Sequence, residues 1–338
     1  MKAVLFEQPH KLSVVNKDLR RLVPGEILVR VEVCGVCGTD VHIVEVTSRS
    51  NPPVVLGHEY SGVVEDVAKD VTDFKPGQKV AVDPNIACGV CFFCRRSEVH
   101  LCSNLKALGV DIDGGMAQYC IVPQRQAYAL PEGFPGHAAA FIEPVSCVVH
   151  GVDRAGIKTG DTVAIIGAGT IGLIMLQLVR HAGAARTIVI EPQEQKRLVA
   201  KKLQANELID PSKTDPLSAV RDLTLVGADV VIECAGNERT ALLAVELARR
   251  GGTVELFGVC PIGTSIPLEP NQVYFKELTI VGSYVNPFTF SRAISVLQQR
   301  IVRTDEFQVH RFPLEDVHEA LQYQKEGKTI KSLIVPSL

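Results

Sequence analysis

The chain has 338 residues, 46% of them hydrophobic and 22% charged, with a formal net charge of −3. That length favours two domains over one, and so even a charge balance gives no electrostatic reason to expect a nucleic-acid or anionic-membrane partner. The N-terminus lacks a basic segment ahead of an apolar core, so no secretory signal is read and the cytoplasm is the expected location. Ten cysteines in such a chain point to metal binding rather than to a disulfide framework.

Residues 1 to about 150 read as β-rich. Ile27-Leu-Val-Arg-Val-Glu-Val33 alternates at period two, and Ser61 to Val67 and Lys79 to Val82 are further short strands. Turn signals at Pro24-Gly25, Pro76-Gly77, Asp113-Gly114-Gly115 and Pro131-Glu-Gly133 separate them, which suggests a small barrel or sandwich. Within this half, Cys34-Gly-Val-Cys37-Gly-Thr39-Asp40-Val-His42 is followed by Gly57-His58-Glu59. Cys37, His58 and one carboxylate make a mixed sulfur, nitrogen and oxygen set, and three protein ligands with one open position is how a catalytic zinc is held. Taken singly these residues are ordinary. Cys37 could be a small buried hydrophobe, His58 a turn histidine, and Thr39 or Asp40 a helix cap.

Cys88, Cys91, Cys94 and Cys102 come next as C-x₂-C-x₂-C-x₇-C. Four thiolates so close in sequence suit a closed, structural tetrahedral site. A nucleic-acid-binding zinc ribbon is the alternative, since Arg95 and Arg96 lie inside the lobe, but no wider basic field surrounds them. An iron–sulfur cluster also fits the spacing alone.

From about residue 155 strands and helices alternate. Strands are expected at 162–166, 187–190, 229–233, 253–257 and 278–281, and helices at about 170–181, 194–203 and 238–250, which makes a doubly wound parallel sheet. The first strand runs into Gly167-Ala-Gly169-Thr170-Ile171-Gly172 and then a helix. That context is the dinucleotide fingerprint: Gly167 permits the tight turn, Gly169 lets a pyrophosphate approach, Gly172 lets helix and strand pack, and the helix N-terminus faces the phosphates. Glu191, nineteen residues past Gly172, ends the next strand and can accept from both ribose hydroxyls of NAD. Lys196 or Arg197 could instead hold the 2′-phosphate of NADP. A last helix (Ser291 to Gln299) and strand (Ser332 to Val335) read as a return to the first domain.

With these motifs in this order, the chain resembles the zinc-containing medium-chain alcohol dehydrogenase family over essentially its whole length. Asp113-Gly-Gly-Met-Ala-Gln-Tyr119 adds to the likeness. Within the family it is most similar to the sorbitol-dehydrogenase-like polyol branch, because Glu143 in Phe141-Ile-Glu-Pro144 stands where primary-alcohol dehydrogenases carry a third zinc cysteine. The resemblance implies a GroES-like β-barrel catalytic domain at 1–152 and 288–338, and a Rossmann NAD-binding domain at 153–287, with a cleft between them. It implies one catalytic zinc on Cys37, His58 and Glu143, with Glu59 behind the metal as an alternative or fourth ligand, and one structural zinc on the four-cysteine lobe. Cys147, one helical turn after Glu143, offers a competing thiolate.

The implied activity is reversible oxidation of a secondary alcohol, a polyol or sugar alcohol that is free or phosphorylated, by NAD. Thr39 would accept the hydroxyl proton and pass it through the cofactor ribose to His42, while Asp40 would orient His58. Val285 stands where animal sorbitol dehydrogenases place an arginine, so the polyol contacts there do not carry over. L-threonine and simple secondary alcohols are alternative substrates on the same machinery, and a non-catalytic NAD- and zinc-binding protein is the alternative from another class. The strand Leu278–Tyr284 pairs across a dimer in such enzymes, so a homodimer or homotetramer is expected.

Overall fold

A computed structural model describes residues 1–45 and 47–337. The chain divides into two compact units, one of residues 1–144, 287–298 and 307–338, the other of residues 145–286 and 299–306.

The first unit is built around strand Glu26–Gly35. Its alternation buries Ile27, Val29 and Val31 on one face, each worth about 1.5–3 kcal/mol when removed from water. This strand pairs antiparallel with Glu59–Val67, Tyr119–Pro123 and Lys331–Ile334. Lys79–Val82, Ala127–Ala129 and Val309–Phe312 complete a seven-stranded sheet. A second sheet of three strands holds Lys2–Gln8, Lys11–Asn16 and Val54–Val55. In the larger sheet the register places Gly35 opposite Glu59 on one side and opposite Leu333 on the other. Three segments far apart in sequence therefore meet where the central strand ends.

The second unit is a six-stranded, wholly parallel sheet. Its order is Glu207–Ile209, Arg186–Ile190, Thr162–Ile166, Ala228–Glu233, Ala248–Leu256, Thr279–Gly282. Counted along the chain this is 3-2-1-4-5-6, so the order reverses beside strand Thr162–Ile166. Ligands of such sheets bind outside the carboxyl ends of the strands at that reversal. The strands are continuous apolar runs because helices cover them. Ala244, Val245, Leu247 and Val220 pack over Ala164, Ile166, Val231 and Val254. Thr170–His181 forms the expected first helix, all but uncharged and largely buried.

Several elements differ from expectation. The helix at 238 stops at Leu247, and strand Ala248–Leu256 begins at once. Gly251, at φ +69°, lets that strand bend where a helix would need a negative φ. Strand Glu207–Ile209 and helix Pro216–Thr224 are additional. The helix is capped by Asp215, whose Oδ2 accepts from the Ser218 amide at 2.9 Å. Helices Ile142–Ala155 and Val317–Glu326 also form. Among the described residues, no helix is long and apolar enough to cross a membrane.

Candidate active site

The strand pairing of the first unit converges on Cys37, His58 and Glu59. Cys37 closes the turn after the central strand, and His58-Glu59 opens the strand beside it. One ligand atom from each of the three lies within 4.8 Å of the others. His58 and Glu59 are buried and Cys37 is half-buried. Gly57 and Gly35 make the close approach possible. A Cβ at Gly57, whose φ is +96°, would sit 2.6 Å from Cys34 Sγ, and one at Gly35 would collide with the Glu59 carboxylate.

Two charged side chains surround this set. Asp40 is wholly buried, and its Oδ2 accepts from the Cys37 amide at 2.8 Å. Its Oδ1 lies 3.5 Å from His58 Nδ1, an ion-pair distance too long for a good hydrogen bond, and neither atom has a hydrogen-bond partner among the described residues. The Lys331 ammonium pairs directly with Glu59 Oε2, both side chains almost fully buried. Burial works against a charge on His58, but Asp40 and Cys37 outweigh it and hold the imidazole well above its ordinary pKa. A buried sulfur, nitrogen and carboxylate set that favours positive charge fits a metal cation.

Thr39 and His42 lie on helix Gly38–Val44, immediately after Cys37 and three residues apart, so they share a face. His42 Nδ1 meets Thr47 Oγ1 at 3.0 Å, which fixes the ring. Glu143 is buried in the first turn of helix Ile142–Ala155. It is not one of the three residues within 4.8 Å, but its carboxylate acts on Lys331, whose charge Glu59, Cys37 and Glu143 support against burial.

Cys88, Cys91, Cys94 and Cys102 form a second cluster, again with ligand atoms within 4.8 Å. Here the ligands come from one loop. Helix Phe92–Arg95 starts directly after Cys91 and returns Cys94 to within 3.5 Å of it, sulfur to sulfur. The amides of Cys88 and Asn104 each donate to Cys102 Sγ at 3.3 Å. Backbone N–H groups of Cys94 and Ser103 push the Cys91 thiol down to about 6, while burial and Cys91 push Cys94 up to about 12. Crowded sulfurs that share protons in this way suit a bound cation. Arg96 lies over the Phe92 ring and pairs with Glu98.

In the second unit, Gly167 has φ +97°, and a Cβ at Gly172 would strike the Gly167 carbonyl. A Cβ at Gly169 would meet nothing within 4 Å. Gly169 caps helix Thr170–His181 without a side-chain hydrogen bond, and the amide end of such a helix is where a phosphate binds. Glu191 is buried. Its Oε2 accepts from the Ala168 amide at 2.8 Å and its Oε1 from the Gln193 amide at 2.8 Å. The Arg197 guanidinium folds under this turn, donating to the Glu191 and Pro192 carbonyls at 2.7 and 2.6 Å.

Comparison with known proteins agrees with these parts. The alcohol dehydrogenase GroES-like domain model matches residues 23–132, and the zinc-binding dehydrogenase model matches 170–299. D-arabinitol dehydrogenase 1 of Uromyces fabae is 31% identical, with 100% of this chain and 97% of that protein covered. The chain belongs to the zinc-containing medium-chain alcohol dehydrogenase family. L-threonine 3-dehydrogenase of Thermococcus kodakarensis is 33% identical over 99% of this chain and 98% of its own. Among solved structures, a zinc-binding dehydrogenase from Sinorhizobium meliloti with NADP bound superposes with a TM-score of 0.95 at 40% identity, covering 99% of each chain. The family thus gives this chain its activity class, a zinc-dependent dehydrogenase using a nicotinamide cofactor.

Sequence reasoning missed Lys331 and Thr47. Lys331 carried one signal, a lysine opening a strand that runs on through Leu333 and Ile334. Thr47 carried none.

Proposed function

We propose that this dehydrogenase oxidises a secondary hydroxyl of a polyol with NAD, using Cys37, His58 and a carboxylate as metal ligands. The observation that carries this is the buried Cys37–His58–Glu59 cluster beside Thr39 and His42. Zinc held there supplies a Lewis acid that makes the substrate hydroxyl acidic near neutral pH, and NAD at the Gly-rich turn supplies the hydride acceptor. Thr39 would accept a hydrogen bond from the substrate hydroxyl, and His42, whose ring Thr47 orients, would be the base that carries the released proton toward solvent. Asp40 holds the Cys37 backbone and faces His58 Nδ1, which leaves Nε2 to the metal. Lys331 draws Glu59 toward itself, which favours Glu143 as the third ligand and Glu59 as an alternative one. Cys88, Cys91, Cys94 and Cys102 hold a second zinc whose role is structural. Glu191, at the end of the second strand of the parallel sheet, would accept from the ribose hydroxyls of NAD and disfavour a 2′-phosphate.

Two features support a polyol. Glu143 in place of a cysteine matches the polyol branch. Lys331 is also the one lysine or arginine buried among the described residues, and it is already paired with Glu59, so it offers nothing to an amino-acid carboxylate. L-threonine is the second reading, favoured by the T. kodakarensis relative. NADH formation across sorbitol, xylitol, the arabinitols, galactitol, polyol phosphates, L-threonine and 2-butanol separates the two. A polyol as best substrate supports the proposal. L-threonine as best substrate keeps the machinery and overturns the substrate class.

A further inference from the structure

Asp210 and Arg197 lie at the carboxyl ends of neighbouring strands. Asp210 directly follows strand Glu207–Ile209, and Arg197 is in the first helix after strand Arg186–Ile190. The Glu191 amide donates to the Ile209 carbonyl at 3.0 Å, which ties the two loops together. Arg197 Nη2 and Asp210 Oδ2 are 2.9 Å apart, and both side chains are only 13% exposed. The remaining Arg197 bonds go to the Glu191 and Pro192 carbonyls. Asp210 is anchored in turn. Its Oδ1 accepts from the Ser212 amide at 3.0 Å and the Ser212 hydroxyl at 2.6 Å.

An arginine near the acidic end of the second strand is the usual receiver of a 2′-phosphate in a doubly wound sheet. Here that arginine is spent. Its Nη1 serves two carbonyls, its Nη2 faces Asp210, and its charge is balanced by that carboxylate, with which a phosphate would have to compete. Lys213, the other cation at Asp210, is 3.7 Å from it and 75% exposed, so solvent screens it.

We propose that Asp210 is a specificity-determining residue: by locking Arg197 beneath the Glu191–Pro192 turn, it withholds the guanidinium from the 2′-phosphate of NADP and biases the enzyme to NAD. The lock acts through a charge pair, so removing the carboxylate's charge while keeping its shape releases it. This rests on the reading that a nicotinamide dinucleotide occupies the Gly-rich turn.

The test measures NADH and NADPH dissociation constants by fluorescence titration of the zinc-loaded enzyme. Asp210→Asn keeps an oxygen for Ser212 and loses the charge. It is expected to tighten NADPH about tenfold and leave NADH within about twofold. The double variant Asp210→Asn/Arg197→Gln should lose that gain. In the wild-type background, Arg197→Gln should leave NADPH within about twofold, because the locked arginine does not serve it. An unchanged NADH-to-NADPH ratio in Asp210→Asn overturns the proposal. So does a several-fold loss of NADPH affinity in Arg197→Gln alone, which would show the arginine already engaged with the phosphate. Wild-type protein that binds neither nucleotide would remove the cofactor reading itself, a result distinct from wild type that binds NADH with an unaltered ratio in Asp210→Asn.

Discussion

The two candidate metal clusters of this chain are built in opposite ways. The four-cysteine lobe takes all its ligands from one loop of fifteen residues, Cys88 to Cys102, and backbone amides of that loop and of Asn104 just after it serve the sulfurs. The Cys37–His58–Glu59 cluster is assembled by strand register from separate segments, and its two charged neighbours, Asp40 and Lys331, lie 291 residues apart in the chain. A local cluster can form from its own loop and needs nothing from the rest of the fold. A register-built cluster can be surrounded by groups that tune it, which a reactive metal needs and a structural one does not.

The sharpest break between the clusters should appear in turnover. Cys37→Ser or His58→Ala is expected to lower the rate of NADH formation on the best substrate by a factor on the order of a thousand or more. NADH binding, followed by fluorescence, should survive, because the Gly-rich turn is untouched. Lys331→Met probes what only the register-built cluster has. It leaves Glu59 buried without its cation, and unfolding by denaturant should show a loss of about 3–5 kcal/mol. Adding Glu59→Leu should restore much of that loss, and a single variant as stable as wild type would contradict the pairing.

For the local cluster the expectation reverses. Cys91→Ser should lower Tm clearly, with turnover per folded molecule little changed from wild type. A chelator that strips the lobe of the wild-type enzyme should reproduce the Tm loss.

The smallest effect comes from a buried acid that no metal cluster answers. Glu255 is fully buried, neither carboxylate oxygen has a hydrogen-bond partner among the described residues, and burial pushes its pKa up to about 8, with Arg154 opposing. Its folded pKa lies above the unfolded value of 4.5. The folded state therefore holds the proton more tightly, and stability falls as pH rises from about 4.5 to about 8, then levels. Glu255→Gln should remove that slope. Its Tm should match wild type at about pH 5 and exceed it at about pH 8.

Legibility in the sequence divides along the same line. The lobe and the Gly-rich turn were legible because their chemistry is written in short spacings. Gly167, Gly169 and Gly172 announce a turn that the positive φ of Gly167 and the crowding at Gly172 explain. The parallel sheet was readable from its β-branched runs. The three-residue strand Glu207–Ile209 was not, since it is too short to show a period. Helix Pro216–Thr224 was signalled by Asp215-Pro216 and passed over. Lys331 and Asp210 were hidden for a different reason. Their meaning depends on which strand lies beside which, and register is not readable from either strand alone.

The central claim is that one cluster runs the reaction and the other holds the fold. Zinc content per chain and NADH formation, measured on the same samples of wild type, Cys37→Ser and Cys91→Ser, test it most directly. The account predicts two zinc ions and full turnover in wild type, and one zinc with turnover abolished and Tm little changed in Cys37→Ser. It predicts lowered Tm with turnover retained in the folded fraction of Cys91→Ser. Turnover at the wild-type rate in Cys37→Ser would contradict it.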